Sequence, residues 1–342
     1  MTILVIALIL LVLVLVGVPV AFALGLTGLI AVATTSSVPL NIVPLAIFNQ
    51  ADSYSLIAVP LFMLAGAIVE KCGLGRILVD FASSLVGWVR GGLAQVNILV
   101  SLFFAGMNGS APADVASMGS ILIPEMKRKG YPAGFAAGVT SSSSELAILI
   151  PPSISLILYG VLANTSIAKL FVAAIVPGLL VAIANMALVQ FLAVRNKFPV
   201  HERFELGRVA TTFRHAVWGL LLPVVILGGI LGGISAATEP AGVAAVVALL
   251  LAAFVYRTMR WRDLPNILIT TAKRTGMVMM IIAASGLLSF YLAEQDIPQT
   301  LAGQVLSITS DQVLVLLIIN VALFLVGMMI SGAPAIILFV PI

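Results

Sequence analysis

Asn108, Gly109 and Ser110 stand between two apolar arms in the stretch FFAGMNGSAPADVASMGSILIP at 103–124. Further along, the serines Ser141 to Ser144 precede Glu145 and an apolar run interrupted by Pro151 and Pro152, SSSSELAILIPPSISLILYG at 141–160. The chemistry such groups offer is coordination of a hard cation such as sodium, which takes several oxygen ligands. Proline brings no N–H to the turn before it, so the break leaves carbonyls unpaired. A half-helix C-terminus presents such carbonyls to an ion. An anionic solute favours the opposite ends, where free N–H groups point. Residues from Ala111 onward and from Ser153 onward are such ends, with Asn108, Ser110 and Ser153 as neutral donors.

These groups are set in an apolar frame. Of 342 residues, 61% are hydrophobic and 9% charged, against about 25% charged in ordinary soluble domains. Long apolar runs recur from end to end, which predicts an all-α polytopic membrane protein. The longest polar stretch, 195–215, reads as a basic loop rather than a soluble domain. No basic residue precedes the first apolar run, so that run reads as a membrane helix and not a cleaved signal. The single cysteine, Cys72, excludes an internal disulfide and a thiolate cluster. Both histidines, His201 and His215, fall in the basic loop, and no two carboxylates are spaced as a catalytic pair, which argues against an intramembrane enzyme. No cofactor is implied beyond a coupling ion, and nothing points to nucleic acid.

Irregular backbone at membrane depth survives only where protein or a water-filled cavity satisfies its polar groups. A re-entrant hairpin beside a broken helix is how discontinuous membrane helices build an ion and solute site. Arginine and lysine gather at 71–90, 127–129, 195–214 and 257–274, whereas 34–55, 164–166, 235–238 and 294–312 hold none. Positive loops stay cytoplasmic, so Arg90 and Lys127 place both ends of the first hairpin, 93–126, on the cytoplasmic face. Two full spans packed at Gly109 are the alternative, and they mis-sort the later basic loops. The basic clusters themselves are most simply topology anchors beside anionic membrane lipid.

The halves of the chain echo each other. The stretch 17–25 is mirrored at 233–242, the run around Gly66 at Gly286, and Ala111-Pro112-Ala113 at Ala333-Pro334-Ala335. A second hairpin, beginning about 313 and tipped near Ser331, enters from the outer face. The expected organisation is therefore an inverted repeat: 1–194 with the hairpin and a broken helix at 131–162, the loop 195–215, and 216–342 as an incomplete second repeat.

Pro60-Leu61-Phe62 with Ala65-Gly66, Gly91-Gly92-Leu93-Ala94, and Gly109-Ser110 with Ala113-Asp114 follow one another along the chain. After them come Pro124 and Met126 with Gly130-Tyr131, Ile150-Pro151-Pro152-Ser153-Ile154, Pro177-Gly178 and Thr238-Glu239. In this order and spacing the whole chain resembles the large membrane subunit of the tripartite ATP-independent periplasmic (TRAP) transporters.

The resemblance implies a sodium-driven importer of organic acid anions in the bacterial inner membrane. It implies an elevator motion, a small membrane subunit, and a periplasmic binding protein that delivers the solute. It also implies that carbonyls near Ala147, Ile150 and Pro152 face Asn108, Gly109 and Ser110 around one sodium ion. A stand-alone ion-coupled secondary anion transporter of the same superfamily is the alternative. Three departures stand out. Family members usually run longer and carry a second broken helix after the second hairpin, so this chain reads as truncated. Ser331 stands where an acid is common. Ala147-Ile148, preceded by Glu145, stands where Gly-Pro is often found.

Other polar residues have two readings. Pro151-Pro152 suits a plain kink packed by small residues as well as an ion site. Asp114 caps the outgoing hairpin arm through the helix dipole, or lies on the ion path. Glu145, ionisable within an apolar span, lines that path or carries a proton, or else faces a polar groove without function. Glu239, behind Thr238 as N-cap, is sufficiently explained by the helix start, with gating or partner contact as the other reading.

Overall fold

The structure, a computed structural model, describes residues 2–36, 38–71, 73–198, 200, 203–232, 237–328 and 332–340. Among the described residues it is helical, without strands. In chain order the first helices are α1 (Thr2–Leu15), α2 (Val20–Thr35), α3 (Ile42–Ala51), α4 (Ala58–Lys71) and α5 (Leu74–Val86). Then come α6 (Gly92–Asn108), α7 (Ala111–Arg128), α8 (Ala133–Ser144), α9 (Leu146–Leu149), α10 (Ile154–Leu162) and α11 (Ile167–Arg195). The chain continues with α12 (Leu206–Leu231), α13 (Thr238–Leu250), α14 (Leu264–Glu294), α15 (Ile297–Ile308), α16 (Gln312–Gly327) and α17 (Gly332–Phe339).

Among the described residues, five helices are long and apolar enough to cross a membrane: Tyr54–Lys71, Ile167–Arg195, Leu206–Ile230, Thr238–Val255 and Trp261–Glu294. The pair Ala133–Leu149 and Ile154–Leu162, bent by 43°, is a sixth if counted as one broken span. Within the stretch expected as a broken helix, 131–162, the chain forms α8, α9 and α10. Within the stretch expected as a hairpin, α6 and α7, 17 and 18 residues long, are joined at Gly109 and Ser110.

The chain divides into two compact units, Ile57–Gly160 with Thr165–Ala272, and Met1–Leu56 with Val161–Asn164 and Lys273–Ile342. In the first, α6 lies at the centre and buries residues on nearly every side, Gln95, Asn97 and Ser101 included. Its core joins Leu93, Ala94, Ile98 and Ala105 to Ala136 and Val139 of α8, Ala147 of α9, and Ala182, Val189 and Ala193 of α11. The many alanines matter because small side chains let membrane helices approach closely where no hydrophobic gain from water drives them together.

In the other unit α2 meets α14. A Cβ at Gly28 would stand 3.0 Å from the Leu288 backbone nitrogen. At the ends of these helices Thr35 Oγ1 donates to the Tyr291 hydroxyl at 2.9 Å, and Ser36 Oγ lies 2.8 and 2.7 Å from the two Glu294 carboxylate oxygens. In α16, Val313, Leu317, Val321 and Phe324 are exposed, a surface suited to hydrocarbon.

Several boundaries differ from the sequence reading. The supposed loops 34–55 and 294–312 contain α3 and α15, of 10 and 12 residues. Both are apolar but too short to span a bilayer, so absence of charge alone made them look like loops. The basic segment 195–215 is helical from Leu206, and His215 lies in α12, because a span continues past the bilayer wherever its backbone hydrogen bonds persist. His201, Cys72 and Ser331 lie outside the described residues.

Candidate functional site

Proline at two successive positions frees two carbonyls. Pro151 cannot donate to Ala147, nor Pro152 to Ile148, which are their helical partners four residues back. The structure resolves the two differently. Ser153 Oγ donates to the Ile148 carbonyl at 2.6 Å, replacing the lost backbone bond. The carbonyls of Ala147, Ile150 and Pro152 accept no hydrogen bond from the described residues. Ile150 is extended, with φ −79° and ψ 124°, which ends the helix. Ala147, Pro152 and Ser153 are buried.

The hairpin tip is laid against this break. Gly109 closes α6 in the left-handed region at φ 57°. A Cβ there would stand 2.7 Å from the Pro152 carbonyl oxygen and 3.1 Å from the Ile154 nitrogen. Only glycine meets both the dihedral and the approach. Asn108 is buried; its Oδ1 accepts from the Ser110 N–H at 3.1 Å, while its Nδ2 is buried without a partner. Helix α4 packs on the tip as well, since a Cβ at Gly66 would lie 3.0 Å from the Asn108 Cα.

Thus Gly109 and its neighbours Asn108 and Ser110 come together with the Ile150–Ser153 break. Asn108 and Ser110 supply side-chain oxygens at the tip, and three unpaired carbonyls stand at the break. Chemically, the arrangement offers oxygen ligands without a fixed cation. Ser110 directly precedes α7 and Ser153 directly precedes α10, so two helix N-termini also belong to this region.

The remaining sequence-predicted residues are placed less centrally. Asp114 is fully buried, with the Ser101 hydroxyl beside its carboxylate but no close hydrogen bond to either oxygen. It stays in the first turn of α7, where the helix dipole favours a carboxylate, and its backbone N–H donates to the Ser110 carbonyl at 3.0 Å. Glu145 is exposed at the junction of α8 and α9. Glu239 is exposed in the first turn of α13. The N-cap there is Ala237, not Thr238 as expected. The helix starts one residue earlier, and the Thr238 hydroxyl is buried without a partner.

One polar feature was not anticipated. Behind the tip, Asn97 Nδ2 donates to Thr140 Oγ1 at 2.6 Å, Ser143 Oγ to Asn97 Oδ1 at 3.2 Å, and Ser101 Oγ to Ser143 Oγ at 3.1 Å. All four residues are buried. The ladder stitches α6 to α8 and so holds the hairpin against the broken helix. Its signal in the sequence is helical spacing: Asn97 and Ser101 are four apart on one apolar helix, Thr140 and Ser143 three apart on another.

Comparison with known proteins bears on what this arrangement serves. Residues 7–342 match the family described as "Tripartite ATP-independent periplasmic transporter, DctM component". A Pseudomonas aeruginosa relative named C4-dicarboxylate TRAP transporter large permease protein DctM is 40% identical over 342 residues, covering 100% of this chain and 80% of the relative. An Oleidesulfovibrio alaskensis relative named isethionate TRAP transporter permease protein DctMQ is 35% identical over 95% of this chain and 52% of its own length. A Vibrio cholerae relative named sialic acid TRAP transporter large permease protein SiaM is 35% identical over 95% of this chain and 76% of the relative.

Proposed function

Since the chain belongs to the DctM family of tripartite ATP-independent periplasmic transporters, as a multi-pass large permease and not an enzyme, we propose that it imports an organic acid anion coupled to sodium. The observation carrying this reading is the contact of Gly109 with Pro152 beside the unpaired carbonyls of Ala147, Ile150 and Pro152. Unpaired carbonyls at membrane depth are costly unless something occupies them, and a sodium ion is an occupant that oxygen ligands suit. Asn108, Gly109 and Ser110 close the same site from the hairpin side. Asp114, buried with the Ser101 hydroxyl as the polar side chain beside its carboxylate, is assigned to the ion path, because a buried carboxylate so sparsely partnered calls for a passing cation. Glu145 and Glu239, both exposed, are assigned to the path's approach and to gating or partner contact.

The solute reading rests on the relatives, whose names carry C4-dicarboxylate, isethionate and sialic acid, all anions at neutral pH. Asn108 and Ser110 at the hairpin tip supply neutral side-chain donors to such an anion, and Ser153, whose hydroxyl proton goes to the Ile148 carbonyl, supplies its backbone N–H before α10. Delivery comes from a periplasmic binding protein, and a small membrane subunit accompanies the permease in the bacterial inner membrane. The Oleidesulfovibrio relative, with 48% of its length beyond the match (100 − 52), supports a second membrane component.

The inverted repeat and elevator motion belong to this proposal. Helix α7 begins at Ala111-Pro112, and Ala333-Pro334 lies in the first turn of α17. Gly66 and Gly286 each meet a neighbour closely, the latter with a Cβ position 2.6 Å from the Ala46 carbonyl. The test is uptake into proteoliposomes with and without a sodium gradient and with and without binding protein. Uptake indifferent to sodium would reject the coupling. Uptake that needs no binding protein would favour a stand-alone transporter.

A further inference from the structure

Helices α8 and α11 are pinned to each other at two levels and part between them. At one end Phe198, just beyond α11, packs its ring 4.9 Å from those of both Tyr131 and Phe135. At the other, Ser142 Oγ donates to Asn185 Oδ1 at 3.0 Å. Beyond that bond α11 closes on the break itself, where a Cβ at Gly178 would stand 2.5 Å from Ile150 Cδ1. Between the two levels lies a cleft of about 200 Å³, floored by Ile98 and Val139 and walled by Gly138 and Leu188. From Phe135 to Ser142 it runs about 10 Å along α8, at 1.5 Å per residue. Apart from the Ser142–Asn185 pair its lining is apolar, and Gly138 and Leu188 leave it open to the surface.

The aromatic end of the cleft is strongly basic. Lys127, Arg128 and Lys129 lie two to four residues before Tyr131, and Arg195 and Lys197 lie three and one before Phe198. All five are exposed, and none has an ion-pair partner among the described residues. Glu125, within a turn of Lys127 to Lys129, is outnumbered by these five cations, and the remaining positive charge favours an anion from outside the chain.

We propose that this cleft is a binding site for an anionic phospholipid. One acyl chain fills the space between α8 and α11, and the headgroup phosphate meets Lys129, Arg195 and Lys197. The size selects this occupant: a helix of another chain is about 10 Å across, too wide for a slot closed at both levels, whereas an acyl chain is not. The charge selects an anionic headgroup over a zwitterionic one. Because α8 is the first arm of the broken helix, the lipid wedges the helix pair that carries the break. This inference does not depend on the sodium reading.

The test is retention of lipid by the purified full chain in detergent, read by native mass spectrometry and by melting temperature, with phosphatidylglycerol or phosphatidylcholine added. Phosphatidylglycerol is expected to be retained and to raise the melting temperature, with phosphatidylcholine bound at least tenfold more weakly. Gly138→Leu fills the cleft from one wall, since nothing lies within 4 Å of its Cβ position, and should abolish retention without lowering the lipid-free melting temperature. Leu188→Trp fills it from the other wall and serves should the first variant fold poorly. Combined Lys129→Gln, Arg195→Gln and Lys197→Gln should remove the preference for phosphatidylglycerol. Equal retention of both lipids by the unaltered chain, retention undiminished in the filled variants, or cross-linking of a second protein chain into the cleft would each overturn the proposal.

Discussion

Gly109 and Pro152 meet backbone to backbone: a single methyl group at Gly109 would stand 2.7 Å from the Pro152 carbonyl oxygen. A hairpin tip is thereby held on the one stretch of its neighbour that lacks helical hydrogen bonding. Each half is poorly satisfied alone, and together they concentrate unpaired oxygens at one place.

Gly109→Ala tests that contact. The left-handed φ of 57° costs alanine roughly 1–2 kcal/mol, and the methyl forces the tip off the break. Sodium-stimulated uptake should fall to background while the protein still inserts in the membrane. Normal sodium affinity in this variant, measured by uptake against sodium concentration, would mean that the tip is not part of the ion site.

Replacing Pro151 and Pro152 together by alanine restores two N–H donors for the carbonyls of Ala147 and Ile148. The 43° bend should relax toward a continuous helix, with fewer free oxygens. The expected outcome is loss of sodium stimulation with melting temperature maintained or raised. A variant that keeps full sodium dependence would show the break to be a packing kink.

Ser153→Ala removes the hydroxyl that occupies the Ile148 carbonyl at 2.6 Å. An unmade bond at a buried acceptor costs about 1–3 kcal/mol, which thermal unfolding will register. Ser153→Thr keeps the hydroxyl and should recover most of that loss. Equal destabilisation by both would point to crowding rather than to the hydrogen bond.

Cysteines introduced as Arg128→Cys and Gln312→Cys, with Cys72 removed, report on the two hairpins. Arg128 ends α7 and Gln312 begins α16. Under the inverted repeat a membrane-impermeant reagent labels them from opposite faces. Labelling from one common face would remove the repeat and the elevator motion that depends on it.

Much of this architecture is local, and so was legible in the residues. The turn at Gly109, the break at Pro151-Pro152 and the long apolar helices each follow from a residue's own dihedral range, its missing N–H, or the hydropathy of its immediate run. Element ends were less legible. Charge marks where a chain meets water, not where its hydrogen bonding stops, so α3, α15 and the first turns of α12 lay hidden in apparent loops.

What tertiary structure alone decided is which unsatisfied group meets which. The prolines determine that two carbonyls lose their helical partners, but only the fold gives Ile148's to Ser153 and leaves Ala147's unpaired. The sequence places Asp114 in a first helical turn, and only packing buries it beside the Ser101 hydroxyl of α6. Likewise Asn97, Ser101, Thr140 and Ser143 become one ladder only when α6 and α8 are set side by side. Hydrogen bonds between distant segments depend on the relative placement of whole helices, and that placement is set by small-residue packing along their full length rather than by any local pattern.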